Sequence, residues 1–261
     1  MTLLKHELRM GRKALAIWTA AIGGFMVCCV FLFPEMAGQM KMVSNIFASM
    51  GAFTAAFGMD RLNFGTLTGF YAIECGNILG IGGALFAAML ASNLLCKEER
   101  DRTAEFLLTH PITRSQVVAE KLGAMVLQTL ALNGAVFLLS IVSIAAIGYE
   151  IPWKELGLLH VANFLVQIEL EGICFGISAF LRRGGLGIGM GMTICLYFLN
   201  LVANLSKHAK FLKYITPFGY AEGADLISDG CLNPGYLAVG AAFTLLGILA
   251  AFWQYNRKDI H

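Results

Sequence analysis

The sequence predicts an all-α membrane protein, a six-helix bundle in a single domain over residues 1–261. Three observations point there. The mean hydropathy is +0.70 and only 14% of residues are charged, against roughly 25% in an ordinary soluble domain. Six segments approach or exceed the roughly 20 apolar residues that a helix needs to cross the hydrocarbon core. The period-2 alternation required of a transmembrane β-barrel is absent throughout.

The first span is expected over Ala14–Phe33. Its apolar core exceeds the roughly 7–15 residues of a secretory h-region, and no small-x-small cleavage site precedes Phe33-Pro34, so it reads as a retained anchor. In residues 1–13 ahead of it, Leu3, Leu4 and Leu8 lie roughly on one face and Lys5, Arg9 and Arg12 are available to lipid phosphates. The second to sixth spans are expected at Phe70–Leu95, Leu122–Gly148, Leu158–Leu181, Leu186–Leu205 and Tyr236–Trp253. Pro34 to Gly69 is a long, mildly polar connection containing Met36, Met40, Met42 and Met50. It reads as amphipathic helices against the outer leaflet, with a thioether copper(I) site as the alternative.

Orientation follows from basic residues in alternate connections. With the N-terminus inside, 13 of the 19 Lys and Arg residues lie on the inner side and 6 on the outer. Both termini and the connection between the second and third spans are therefore expected in the cytoplasm.

Several chemistries find no support. There is no P-loop and no H-E-x-x-H, the five histidines are scattered singly, and no G-x-S-x-G elbow marks a nucleophile. Most of the seven cysteines fall in apolar spans, where a thiol behaves as a small hydrophobe, and no Cys/His spacing suits a metal. The glycines at 185, 187, 189 and 191 open a span and follow no strand, so a dinucleotide fingerprint is excluded. They and Gly76, Gly80 and Ala84 have the four-residue spacing that lets helices approach closely in lipid. The chain reads as a non-catalytic membrane protein without a bound metal or nucleic acid.

The most informative segment is the charged island Lys97–Lys121, which holds ten charged residues between two nearly uncharged apolar runs. Glu98 to Leu108 reads as a helix stopped at Thr109-His110-Pro111, because proline disfavours helical geometry before it. Ser115 is the expected cap of the next helix. The expected product is a short amphipathic helix presenting Phe106, Leu107 and Leu108 among charges; a plain solvated loop is the alternative.

The segment Glu99-x-x-x-Thr103-x-Glu105-x-Leu107-Leu108-x-x-Pro111-Ile112-x-Arg114, followed by Lys121, resembles the signature of ABC-2 type permease subunits. That family usually has glycine where this chain has Arg102. The close at Phe252, Asn256, Arg257, Lys258, Asp259 and Ile260 is similar to the family's aromatic-then-Arg-Asp tail, and Ile215–Tyr220 resembles its Ser/Thr-Pro-Phe element. The resemblance implies the transmembrane half of an ATP-driven transporter, an exporter in a bacterial cell membrane. Two cytoplasmic ATP-binding subunits would carry ATP and Mg, and a second permease, identical or homologous, would complete it among membrane lipids. The island would be the coupling helix, and residues 1–13, whose sequence permits it, an amphipathic interfacial helix. Glu98, Glu99, Arg102, Thr103, Glu105, Pro111 and Arg114 would contribute to docking, around an apolar anchor of Phe106, Leu107 and Leu108.

Ionisable groups at membrane depth are expensive and therefore functional candidates. Glu74, Glu169 and Glu171 are the acidic ones, and Asn133 and Asn200 are their candidate partners. Glu169 and Glu171 lie two residues apart and so roughly 200° apart around a helix, on different faces. One could line a cargo path while the other meets an asparagine; a protonated glutamate bonded between helices is the structural alternative. The rival functions are a proton-coupled secondary transporter using these glutamates, and a non-transporting scaffold or sensor that recruits a soluble protein through the island.

Overall fold

A computed structural model describes residues 2–39, 50–104, 111–182 and 184–258, and no strand occurs among them. Six helices are long and apolar enough to cross a membrane. They are α1 (Thr2–Gly38), α2 (Leu67–Ser92), α3 (Arg114–Ala146), α4 (Trp153–Phe180), α5 (Leu186–Leu205) and α6 (Pro234–Arg257). The six expected spans are all present, with boundaries moved by local chemistry.

α1 is one uninterrupted helix. No break at residue 13 separates the amphipathic start from the first span, and the helix runs on through Pro34. Proline there removes one backbone donor, a loss that a packed membrane helix tolerates. Of the four methionines in the long connection, Met36 packs against the core and Met50 is 42% exposed, while Met40 and Met42 lie outside the described residues. α2 contains a π-helical turn at Tyr71–Cys75 and is capped at its start by Thr66, whose side chain accepts from Gly69 N. α3 starts at Arg114, two residues before the start that a Ser115 cap would give. Its cap is Thr113 rather than Ser115, in a reciprocal capping box with Gln116. Pro234 opens α6, with Asn233 as its cap.

α4 is the central helix. It packs against α6, α2 and α3, and 67% of its apolar window is buried, compared with 11% for α6. One core cluster, including Met26, Phe33, Phe70, Phe86, Leu132 and Val136, joins α1, α2 and α3. A second, with Leu3, Leu95, Val117, Met125, Phe175 and Tyr255, closes the end that carries the island. Ile17, Phe25, Phe31 and Leu32 on α1, and Leu245, Leu246, Leu249 and Trp253 on α6, remain outside as an apolar surface. In a bundle of this kind that surface faces lipid.

The closest helix crossing is α4 on α6, at glycines whose spacing the sequence reading passed over. A Cβ on Gly247 would lie 2.2 Å from the Gly172 carbonyl oxygen, and one on Gly176 would lie 2.6 Å from that of Gly247. Only glycine permits this approach. Of the expected glycine runs, Gly185 and Gly189 press on Ser92 of α2 and Gly80 faces Asn163, whereas Gly187 and Gly191 meet nothing within 4 Å.

Candidate functional site

The island begins with one helical turn, Lys97–Arg100, instead of an unbroken helix from Glu98 to Leu108. Arg102 ends it. With φ 55°, it is the one non-glycine residue at positive φ among the described residues. Arg102 N donates to Glu99 O at 3.2 Å and Thr103 N donates to Glu98 O at 2.8 Å. This pair of bonds is a Schellman motif, whose left-handed position glycine normally occupies. The departure from the family pattern at Arg102 therefore falls on the residue that must turn the chain, and arginine adopts the turn without help from its side chain type. Glu105, Phe106, Leu107 and Leu108 lie outside the described residues.

The island is clamped to the bundle by ion pairs. Lys121 Nζ, on α3, meets both oxygens of Glu98, at 2.6 and 2.5 Å, and the Leu94 carbonyl. Lys121 is 0% exposed. Glu99 accepts from Lys258 Nζ at 2.9 Å just beyond α6, and Lys258 also donates to Leu181 O. Lys97 pairs with Glu7 of α1. Glu120 accepts from the Leu4 N–H at 2.9 Å, which supplies an acceptor to the first turn of α1.

Two expectations about docking charges change accordingly. Glu98 and Glu99 point into the protein, because each satisfies a lysine that would otherwise be buried unpaired. Arg114 caps α6: its guanidinium donates to Lys258 O at 2.6 Å, Tyr255 O at 3.3 Å and Asn256 O at 3.4 Å. A cation there satisfies free carbonyls and complements the negative end of the helix dipole. Among the described residues of the island, Arg100, Asp101, Arg102 and Thr103 form one exposed stretch, and Pro111, Thr113, Ser115, Gln116 and Ala119 are exposed further along. The Arg100 hydrogen bond holds the Asp101 carboxyl below its ordinary range, so both remain charged at the surface.

The membrane-depth groups pair differently from expectation. Glu171 accepts from Thr129 Oγ1 of α3, and Glu169, on the other side of α4, accepts from Tyr220 OH at 3.0 Å. Neither meets an asparagine. Asn133 donates to Gln167 Oε1 at 2.6 Å, and Asn200 donates to Glu222 at 3.2 Å. The reason is register. α3 and α4 run antiparallel, so one turn forward from Thr129 to Asn133 matches one turn back from Glu171 to Gln167. Further along, Tyr71 bridges Ser140 of α3 (2.7 Å) and His160 of α4 (2.8 Å). Glu74 sits apart, in the π-helical turn beside Cys29 of α1. The three acidic groups thus occupy three separate environments, and Glu169 and Glu171 are each bonded to a neighbouring element.

The sequence did carry a signal for the missed partners. Asn163, Gln167 and Glu171 recur every four residues along α4, as do Thr129 and Asn133 on α3, and such spacing puts polar groups on one helical face. Lys121, Lys258 and Glu222 carried no comparable mark, since their partners are distant in sequence.

No curated protein matches this sequence. The family model described as ABC-2 family transporter protein matches residues 1–260. With six membrane-crossing helices and a charged island clamped beneath them, the chain belongs to the ABC-2 transporter family as a multi-pass membrane protein.

Proposed function

We propose that this chain is the membrane subunit of an ATP-driven exporter in a bacterial cell membrane, and that it takes its driving force from a separate cytoplasmic ATP-binding subunit. The observation that carries this reading is the fastening of the island. Its exposed turn, Arg100–Thr103, stands on Glu98 and Glu99, which are tied to α3 through Lys121 and to the end of α6 through Lys258. A displacement of the island by a docked partner is therefore delivered to two spans at once. Movement of this kind needs stiff attachments, and buried, multiply bonded charge pairs supply them.

In this reading ATP and Mg bind to the partner, and two such partners serve two membrane subunits. Arg100, Asp101 and Arg102 steer docking by charge, while Phe106, Leu107 and Leu108 form the apolar anchor. The amphipathic start of α1, continuous with the first span, carries Lys5, Arg9 and Arg12 at the inner membrane surface, within reach of lipid phosphates.

The test is co-isolation of an ATP-binding subunit with the wild-type chain and with a Phe106→Asp, Leu107→Asp double variant. Loss of the partner from a variant that unfolds at the wild-type temperature supports the assignment. Failure to recover any ATPase with the wild-type chain from gently solubilised native membranes overturns it.

A further inference from the structure

The segment that follows α5 lies at the end of the bundle opposite the island. α5 starts beside Ser92, whose side chain a Cβ on Gly189 would meet, and stops at Leu205. Ser206 then accepts from His208 N at 3.3 Å and caps a 3-10 helix over Lys207–Tyr214. Eight residues is long for a helix type that seldom exceeds about four. Its sequence suits that geometry. Lysine recurs at 207, 210 and 213, a ring at 208, 211 and 214, and an apolar residue at 209, 212 and 215. With three residues per turn, each set of positions forms one row.

Both ends of this helix are held at the level where spans end. It begins one residue beyond α5, and Tyr214 stands edge-on to Tyr236 in the first turn of α6, with ring centres 4.6 Å apart. It packs against α5 and α6, so it runs along the membrane boundary rather than away from it. The rows differ in their surroundings. Lys213 is 7% exposed and turns inward to Asp225. Phe211 and Tyr214 are 62% and 52% exposed, and Ile215 beside them is exposed as well. They continue the exposed apolar surface of Phe198, Val202 and Leu205 on α5, which faces lipid. His208 and Lys210 are also exposed, and Lys210 enters no ion pair among the described residues. The helix has no acidic residue, and Asp225 is already matched by Lys213 and Arg61. Positive charge is therefore in surplus beside an apolar surface, the composition of an interfacial element.

We propose that Lys207–Tyr214 is such an element and that it binds anionic phospholipid, with Phe211 and Tyr214 in the edge of the hydrocarbon and Lys210 against the headgroup phosphate. An aromatic ring is at home at that depth, and the Tyr214 hydroxyl stays wet. A lysine stem lies along apolar surface while its ammonium reaches the headgroups, where anionic lipid attracts it. Lipid is the occupant because the exposed rings adjoin a surface that already faces lipid. The site is independent of docking to an ATP-binding subunit.

The test uses the full-length chain with its exposed cysteines, Cys28, Cys195 and Cys231, replaced by serine. It is reconstituted into vesicles of phosphatidylcholine, with and without phosphatidylglycerol. A nitroxide attached through Phe211→Cys should be relaxed more by oxygen, which concentrates in lipid, than by a neutral water-soluble nickel chelate. Adding phosphatidylglycerol should shift that balance further toward oxygen. Lys210→Gln should abolish the shift and leave the value in phosphatidylcholine unchanged. Both substituted side chains are exposed, so folding is preserved. Relaxation at 211 dominated by nickel, or exclusion of both reagents by a covering protein, overturns the proposal. So does the absence of a shift with phosphatidylglycerol, or a shift that persists in Lys210→Gln.

Discussion

The two ends of the bundle use the same kinds of charged residue to opposite effect. At the island end the charges that fasten the island to α3 and α6 are buried in pairs: Lys121 is 0% exposed against Glu98, and the Lys258 and Glu99 side chains are 6% and 9% exposed. At the far end Arg61 and Asp225 pair with side chains 40% and 35% exposed, and Lys213 joins the same carboxylate at 2.7 Å. Exposed pairs contribute little and rearrange readily, whereas removing half of a buried pair strands a charge. The far-end cluster, in which Lys213 is 9% exposed but Arg61 and Asp225 are open to solvent, is therefore the more easily rearranged of the two.

The sharpest way to break this contrast is Lys121→Met. It leaves the Glu98 carboxylate buried without a cation and should cost about 3–5 kcal/mol, read as a fall in thermal unfolding temperature. Adding Glu98→Leu should restore most of it. A single variant as stable as the wild type would mean that Glu98 reaches water and the clamp is not rigid.

Next in size is Gly247→Ala on α6. The new Cβ has no room against the Gly172 carbonyl, so a loss of about 1–3 kcal/mol is expected. Gly187→Ala, in open surroundings, should be neutral or slightly stabilising in the same unfolding assay.

Arg102→Gly addresses the island turn. Glycine removes the strain of a left-handed arginine, and about 1 kcal/mol of local stability should be gained. Slower hydrogen exchange at the Thr103 amide, which closes the turn on Glu98 O, would register it, and faster exchange would refute it.

The smallest effect belongs to the far end. Burial alone would raise the Asp225 pKa, but the Lys213 hydrogen bond and the Arg61 charge outweigh it and hold the carboxyl below its ordinary value. The stabilisation is fully present above the unfolded carboxylate value of about 3.9 and is lost as pH falls through the lower folded value. Asp225 itself is 35% exposed, so solvent screening limits the contribution to less than about 1 kcal/mol. Unfolding temperatures measured from pH 6 to pH 3 should decline less in Lys213→Gln than in the wild type.

How much of this was legible in the sequence divides by the range of the interaction. The spans and the island are local in sequence and emerged close to where they were expected, whereas the turn at Arg102 interrupts the helix expected from Glu98 to Leu108. Thr113 displaced Ser115 as the cap of α3 because Gln116 completes its capping box, a pairing visible three residues away but easily overlooked. Arg114 was assigned to docking because it lies in the island; that it caps α6, more than 140 residues away, depends on how the two helix ends meet. Glu169 and Glu171 were separated by helical geometry alone, yet their partners, Tyr220 and Thr129, depend on which helices flank α4.

Hydrophobic length and charge placement by themselves determined that this chain crosses a membrane six times and concentrates charge in one connection, because transfer of charge into hydrocarbon is prohibitive for any fold. Only the tertiary structure decided which of those charges face each other. Pair energies fall off over a few ångströms, and helix register, rather than sequence distance, brings Lys121 to Glu98, Lys258 to Glu99 and Glu222 to Asn200.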